Sequence, residues 1–145
     1  MKLVVQRVKK AKVIIDNKVY SEIKQGFLVY LGITHSDTFE DVIKYVNKVA
    51  NLRVFEDENG KMNLSIDKIN GEFLVVSQFT LYANSQRGNR PSFIEAANPD
   101  IAIPLYELFI SELSKKHIVK SGQFGANMQI ESINDGPVTI ILEKL

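Results

Sequence analysis

The chain has 145 residues, 45% of them apolar and 24% charged, and its formal net charge is only +1. These values are typical of one globular domain and exclude a disordered or fibrous protein. Cysteine is absent, which excludes disulfides, thiolate metal sites and a cysteine nucleophile. No apolar run reaches the length of a membrane span and no signal peptide is present, so we expect a single domain, residues 1–145, in the cytoplasm and not at a membrane.

Positive charge is concentrated at the start of the chain. Residues 1–24 contain seven basic and two acidic side chains. Such a cluster fits a nucleic-acid contact, and it equally fits a solvated strand face whose lysines protect a sheet edge. The sequence leaves both interpretations open.

Apolar runs and alternating patterns predict strands through most of the chain. The run at 26–33 is almost unbroken, which suits a central strand buried on both faces. Near the C-terminus, two strands are predicted on either side of a turn. The predicted strands are 2–8, 11–15, 19–23, 26–33, 73–81, 128–132 and 138–142.

Two helices are predicted between these strands. The first begins at a cap among residues 36–38 and buries an apolar stripe from Val42 to Leu52. The second begins at Asn98-Pro99 and carries Pro104, which either delays the regular helix or kinks it. The fold class is therefore α+β, with a mostly antiparallel sheet or open β-barrel and two main helices.

Familiar catalytic and metal motifs are missing. His35 and His117 are the two histidines, and neither lies in a nucleophile or metal-ligand motif. Both stand next to predicted helix ends, so we expect ordinary surface or capping roles for them. No carboxylate cluster has metal-ligand spacing. We therefore predict no metal and no cofactor.

Two short segments break the local patterns, and such breaks tend to mark functional positions. In residues 77–80, two hydroxyls and an amide follow an apolar strand, so the strand either runs into solvent or lines a polar pocket. Residues 134–139, Asn-Asp-Gly-Pro-Val-Thr, form either a hairpin turn or a rigid main-chain element.

Both segments resemble the two signature motifs of the D-aminoacyl-tRNA deacylase family, also called the D-tyrosyl-tRNA deacylase family. The similarity extends to Gln6-Arg7-Val8 and to residues 60–64 and 90–93, and so spans essentially the whole chain. The two motifs also have the family's order and separation.

The resemblance implies a hydrolase that acts on a carboxylic ester. Family members are cytoplasmic homodimers that hydrolyse the ester between a D-amino acid and the 3′-terminal adenosine of tRNA, and that also remove glycine from mischarged tRNA. They reject L-aminoacyl-tRNA through a Gly-cisPro motif, which is a chiral proofreading activity. The implied partners are D-aminoacyl-tRNA and a second copy of the chain, with an active site built across the two subunits.

The resemblance also assigns residues. Ser77, Gln78, Phe79 and Thr80 match the catalytic pocket strand of the family. An aminoacyl ester is already activated, so main-chain N–H groups around Phe79 and Thr80 are expected to stabilise the oxyanion while a water attacks, assisted by the ribose 2′-hydroxyl. Thr80 is not expected to act as the nucleophile, since no residue of this motif activates its hydroxyl.

The remaining matched positions bind substrate. Gly136 and Pro137 match the Gly-cisPro element, whose two carbonyl oxygens leave room for hydrogen but not for an L-side chain. Arg7 matches the arginine that braces this element. Phe124 and Met128 match positions that flank the terminal adenine.

Two other functions are kept as alternatives. One is a non-catalytic nucleic-acid-binding dimer that uses the N-terminal lysines with Arg87 and Arg90, and it would show salt-dependent binding without turnover. The other is a general esterase, which would cleave a small D-amino-acid ester in the absence of tRNA.

Overall fold

A computed structural model describes residues 1–145 and contains two α-helices and eight β-strands. Two 3-10 turns, Ile66–Ile69 and Phe79–Tyr82, lie on either side of the sixth strand. The helices are α1 (Phe39–Ala50) and α2 (Pro99–Ser114). The strands are β1 (Lys2–Ile15), β2 (Lys18–Ile23), β3 (Gly26–Gly32), β4 (Phe55–Glu56), β5 (Met62–Leu64), β6 (Glu72–Ser77), β7 (Val119–Ser121) and β8 (Gln129–Glu143).

The main sheet is organised around β1. On one side, β8 pairs with it antiparallel along almost its whole length, and on the other side β3 and β2 pair antiparallel with its first and second halves. β6 then pairs parallel with β3, and β7 parallel with β6. The Ser21 hydroxyl donates to the Ser121 carbonyl at 2.8 Å, which ties β2 to β7 and nearly closes the sheet into a barrel. The predicted α+β class with two helices is confirmed.

The core lies on both faces of β3, as its unbroken apolar run predicts. Phe27, Val29 and Leu31 belong to the larger apolar cluster, which also contains the buried faces of α1 and α2. Leu28 points the other way into a smaller cluster that includes Val8. Alternate residues of a strand face opposite sides of a sheet, so one strand supports two cores.

Both helix starts follow their predicted caps. Thr38 caps α1, where its hydroxyl accepts from the Asp41 N–H at 3.3 Å and the Asp41 carboxylate accepts from the Thr38 N–H at 2.9 Å. The Asn98 side chain caps α2 and accepts from the Ile101 N–H at 3.2 Å. Pro104 lies inside α2 and does not delay its start at residue 99. Neither helix is long and apolar enough to cross a membrane.

Five of the predicted strands are wrong in their bounds, at three places in the chain. Residues 2–8 and 11–15 form one strand, because the exposed Lys9-Lys10 pair stays within β1 at an irregularity of its ladder with β8. The predicted C-terminal hairpin is one continuous strand, β8, which runs along β1 without reversing. The strand predicted over 73–81 ends at Ser77, and the chain then enters the 3-10 turn Phe79–Tyr82.

Candidate functional site

The carboxyl ends of the three parallel strands meet at one edge of the sheet. β3 ends at Gly32, β6 at Ser77 and β7 at Ser121. In open α/β sheets, ligands bind outside the carboxyl ends of parallel strands, where the connecting segments leave a crevice. The predicted catalytic residues 77–80 leave the sheet at this edge.

The Phe79–Tyr82 turn is anchored to β3 through Gln78. The Gln78 N–H donates to the Leu31 carbonyl at 2.9 Å, and the Gln78 carbonyl accepts from the Leu81 N–H at 3.2 Å. Leu81 is therefore the first donor bonded within the turn, because the N–H groups at the start of a helical turn have no acceptor inside it. The family match to a pocket strand is corrected here: Gln78, Phe79 and Thr80 lie beyond the strand.

Thr80 is bonded to a neutral partner. Its hydroxyl oxygen accepts from the Gln78 side-chain amide at 2.5 Å, and an amide N–H cannot remove the hydroxyl proton. Burial, together with the nearby Asp37 and Tyr45, raises the pKa of Tyr82 far above its usual range. Tyr82 is therefore neutral near pH 7, and this turn contains no general base.

Phe124 lies within a tight turn next to β6, in which the Ala126 N–H donates to the Gln123 carbonyl at 3.2 Å, and Met128 follows that turn. The Gly122 N–H donates to the Val75 carbonyl at 3.0 Å, which places this turn beside the strand that ends at Ser77. Phe124 packs against the Tyr106 ring with centroids 5.8 Å apart. A Cβ added to Gly122 would lie 2.5 Å from the Met128 sulfur, so the glycine allows the methionine to pack closely. Phe124 packs against the larger apolar cluster and Met128 against the smaller one, and both follow Gly122, which is bonded to the strand that ends at Ser77.

Gly136 and Pro137 lie in a wide bulge of β8. Gln6 pairs with Thr139 and Val8 pairs with Asn134. The chain advances two residues in β1 and five residues in β8 between these pairs, so β8 contains three extra residues. The Gly136–Pro137 peptide bond is cis, and Gly136 has φ of 122°, which an L side chain rarely adopts. A bulge within one strand therefore stands in place of the hairpin turn considered in the sequence analysis.

Arg7 lies beneath the bulge and is only 5% exposed. Its Nη1 donates to the Val54 carbonyl at 2.6 Å, and its Nε lies 3.4 Å from the Asp135 carbonyl oxygen and 3.3 Å from the Asp135 carboxylate. A Cβ on Gly136 would lie 3.0 Å from Nη2 of Arg7. The guanidinium therefore contacts the segment that contains Gly136, in the position that the family match gives to a bracing arginine.

Asn134 closes the base of the bulge and was not singled out from the sequence. Its side-chain amide donates to the Arg7 carbonyl at 3.0 Å and to the Val138 carbonyl at 3.1 Å. One side chain thus links β1 to the residue that follows Pro137. Its place at the start of the Asn-Asp-Gly-Pro motif is the signal that identifies it.

The bulge and the Gln78–Thr80 turn are far apart within one chain. Val8 pairs with Gly26 at the amino end of β3, whereas Leu31, near its carboxyl end, pairs with Ser77. Five residues along a strand and three strand spacings across the sheet give a separation on the order of 20 Å. A single copy of the chain does not bring the two predicted parts of the site together.

The two histidines lie outside both segments. His35 is exposed, and its Nε2 is 2.9 Å from the Ile94 carbonyl oxygen. The His117 side chain is largely buried rather than at the surface, with Nδ1 3.0 Å from an Asp67 carboxylate oxygen. No three His, Cys, Asp or Glu side chains converge as metal ligands.

Comparison with known proteins identifies the family. A sequence profile described as D-Tyr-tRNA(Tyr) deacylase matches residues 4–143. The chain belongs to this deacylase family. The D-aminoacyl-tRNA deacylase of Fusobacterium nucleatum subsp. nucleatum is 56% identical over 144 residues, which cover 99% of this chain and 95% of that protein. The D-aminoacyl-tRNA deacylase of Thermotoga petrophila is 54% identical and covers 99% of this chain and 97% of its own.

A solved structure has the same fold as this chain. The protein named c-Myc DNA Unwinding Element Binding Protein superposes with a TM-score of 0.94 at 44% identity, covering 100% of this chain and 99% of that chain.

Proposed function

We propose that this chain, as one domain of residues 1–145, hydrolyses the ester of D-aminoacyl-tRNA and of mischarged glycyl-tRNA in the cytoplasm. The products are the free amino acid and tRNA. Family membership supports the reaction. The observation that carries the chiral part is the bulge of β8, in which buried Arg7 contacts the Asp135-Gly136 main chain on an edge strand.

The active site is proposed to form between two copies of the chain. β8 pairs with β1 on one side only, which leaves its other edge and the bulge free for a second copy. Two-fold symmetry makes each contact reciprocal, so one dimer contains two equivalent sites. In each site, Ser77, Gln78, Phe79 and Thr80 come from one copy, and Gly136 and Pro137 come from its partner.

The proposed reaction needs orientation and charge stabilisation. Water adds to the ester carbonyl carbon, and the N–H groups of Phe79 and Thr80 bind the oxygen that becomes negatively charged. As it adds, the water gives one proton to the ribose 2′-hydroxyl. The bond from that carbon to the ribose 3′ oxygen then breaks, and the 2′-hydroxyl passes a proton to the 3′ oxygen. Phe124 and Met128 hold the adenine. Thr80 keeps its hydroxyl bonded to Gln78 and forms no covalent intermediate.

Stereochemistry is proposed to be selected by exclusion. The carbonyl oxygens of Gly136 and Pro137 face the α-carbon of the bound amino acid, where a hydrogen fits and a side chain overlaps. D-amino acids and glycine present a hydrogen at this position, and L-amino acids present a side chain. Overlap with a fixed main chain discriminates more strongly than a missing methylene, which is worth about 1–3 kcal/mol.

The direct test compares the two enantiomers. Purified protein is incubated with D-Tyr-tRNA, Gly-tRNA and L-Tyr-tRNA, and loss of each ester is followed over time. We expect hydrolysis of the first two and background loss of the third. Equal rates on the D and L esters, or no hydrolysis of the D ester, would contradict the proposal. Rapid cleavage of a D-tyrosine methyl ester would favour the general esterase.

A second candidate function is nucleic-acid binding without turnover. Its support is the name of the 44% identical structure, which refers to a DNA element, together with the exposed Lys9 and Lys10 of β1. Binding of duplex DNA would weaken steeply with salt, because phosphate contacts release counterions. Duplex binding by a preparation that leaves D-Tyr-tRNA intact would favour this function over the deacylase.

A further inference from the structure

Two phenylalanine rings stand exposed beside the proposed oxyanion donors. Phe79 is 54% exposed and Phe93 is 41% exposed, and their rings meet edge to face with centroids 5.2 Å apart. Ile94, the next residue, is 83% exposed. Phe79 lies between Gln78 and Thr80 in the chain, so this aromatic surface borders the site. The reaction proposed above uses the main-chain N–H of Phe79 and gives neither ring a role.

The segment that carries Phe93 is fixed at its base. Asn84 and Ser92 form an antiparallel bridge through two main-chain hydrogen bonds of 2.8 and 2.9 Å. Beyond Phe93, the Glu95 carbonyl accepts from the Thr34 hydroxyl at 2.5 Å. Phe93 thus has a defined place next to the end of β3, while the residues between Asn84 and Ser92 are exposed.

The exposed loop between Asn84 and Ser92 is basic. It contains Arg87 and Arg90, and residues 83–94 contain no acidic side chain. Arg87 is three residues from Asn84 and Arg90 is two from Ser92, so the main chain places both within about 10 Å of the bridge. Stacked nucleotides follow each other at about 3.4 Å along one strand. A few nucleotides therefore span the distance from the aromatic pair to both arginines.

We propose that Phe79, Phe93, Arg87 and Arg90 form a subsite for the single-stranded nucleotides that precede the terminal adenosine of tRNA. This inference rests on the proposed deacylase function and deepens it. Every base has a flat π face that stacks on aromatic rings, and arginine binds phosphate through paired N–H groups. Aromatic side chains with neighbouring arginines are the usual combination for single-stranded RNA. The subsite would distinguish tRNA from smaller esters of adenosine.

The test compares a full substrate with a truncated one. D-Tyr-tRNA carries the preceding nucleotides, and 3′-O-D-tyrosyl-adenosine lacks them. For Arg87→Ala/Arg90→Ala, and separately for Phe93→Ser, we expect kcat/KM on D-Tyr-tRNA to fall about tenfold through KM. The ratio of kcat/KM on tRNA to that on the adenosine ester should fall by the same factor. Loss of two phosphate contacts should also reduce the slope of log kcat/KM against log salt by about 1.4.

Lys68→Ala/Lys116→Ala is the matched control. It also removes two positive charges from exposed positions, on the 3-10 turn Ile66–Ile69 and just beyond the C-terminal end of α2, and it should change neither the ratio nor the salt slope. If the ratio of kcat/KM on tRNA to that on the adenosine ester is unchanged in both Arg87→Ala/Arg90→Ala and Phe93→Ser, the subsite is overturned.

Three further outcomes separate the explanations. Equal losses on both substrates would also overturn the subsite, since they would show damage to the reaction itself. Dissociation of the Phe93→Ser protein, seen by light scattering, would assign the aromatic surface to a second copy of the chain and overturn RNA binding. Failure of the unmodified protein on both substrates would instead contradict the proposed function.

Discussion

The Gln78–Tyr82 turn and the 134–138 bulge are built in opposite ways. The turn follows the carboxyl end of a buried parallel strand and is held by main-chain hydrogen bonds to its neighbours. The bulge interrupts the edge strand β8, across β1 from the amino end of β3. It is held by the side chains of Arg7 and Asn134. The turn is held by main-chain bonds, one of them to Leu31 of β3, whereas the bulge depends on the two side chains beneath it.

In the proposed function, the distance between these two regions is the reason why the site needs two copies of the chain. Both segments are defined within a single chain, yet they lie on the order of 20 Å apart along the sheet. The turn offers donors to a substrate but has nothing opposite that reads its stereochemistry. The bulge offers a main chain held by Arg7 and Asn134, but residues 77–80 do not lie beside it. Experiments that damage one region and not the other test whether the two cooperate across subunits.

The largest effect is expected from mixing subunits damaged in different regions. Phe79→Pro removes a proposed oxyanion donor, which should lower kcat by about 10²–10³. Gly136→Ala places a Cβ 2.8 Å from Cγ2 of Val138 on a residue with φ of 122°, so the bulge must shift and L-Tyr-tRNA should be hydrolysed. In a mixture with a ninefold excess of Phe79→Pro subunits, about nine in ten Gly136→Ala subunits pair with a subunit whose bulge is intact. Hydrolysis of the L ester by their active turns should then fall about tenfold.

Hydrolysis of the D ester per Gly136→Ala subunit should persist in that mixture. The matched control adds Phe79→Pro/Gly136→Ala subunits in the same excess, which supply no intact bulge and should leave L-ester hydrolysis unchanged. If the simple Phe79→Pro subunits also fail to suppress L-ester hydrolysis after verified subunit exchange, selection occurs within one chain.

A smaller effect is expected when the cation beneath the bulge is removed. Arg7→Met keeps much of the side-chain volume but leaves the Val54 carbonyl and the partly exposed Asp135 without their partner. The free energy of unfolding should fall by about 2–3 kcal/mol, and L-ester hydrolysis should rise. Urea denaturation measures the first, with exposed Arg53→Met as the control at about 0.5 kcal/mol or less. An Arg7→Met protein as stable as the control, still selective for D esters, would remove Arg7 from its bracing role.

The smallest effect is expected at the Thr80 hydroxyl. Because this oxygen accepts from the Gln78 amide and has no base beside it, Thr80→Ala should lower kcat by less than tenfold, and Thr80→Ser should resemble it. Single-turnover hydrolysis of D-Tyr-tRNA measures this. A loss of 10³ or more in Thr80→Ala that Thr80→Ser restores, with an unchanged unfolding midpoint, would make Thr80 the nucleophile.

Sequence patterns predicted the strands and helix starts that are determined by residues close together in the chain. The apolar run of β3 and the caps at Thr38 and Asn98 depend on residues within a few positions of each other. The end of β6 at Ser77 was missed because Gln78, Phe79 and Thr80 fit a strand as well as a turn. The Gln78 N–H still bonds to Leu31 of β3, and the turn begins where the Gln78 carbonyl accepts from the Leu81 N–H, which residues 77–80 alone do not determine.

The bulge shows a different limit. Asp135, Gly136 and Pro137 give the same signals in a hairpin turn as in a bulge, because each allows the chain to leave a regular strand. Only the pairing of β8 with both halves of β1 distinguishes them, and that pairing is non-local. The family resemblance assigns Arg7 a bracing role, but no pattern in the sequence places its guanidinium against Val54 and Asp135.

The unequal count of residues at the bulge has a consequence for how this protein can vary. Ladder pairs close the strand on both sides, at Gln6 with Thr139 and at Val8 with Asn134. A change within the three surplus residues therefore alters the bulge and leaves the register of both halves of β8 unchanged. Within one strand, the residues that would set substrate preference are thus different from the residues that maintain the sheet.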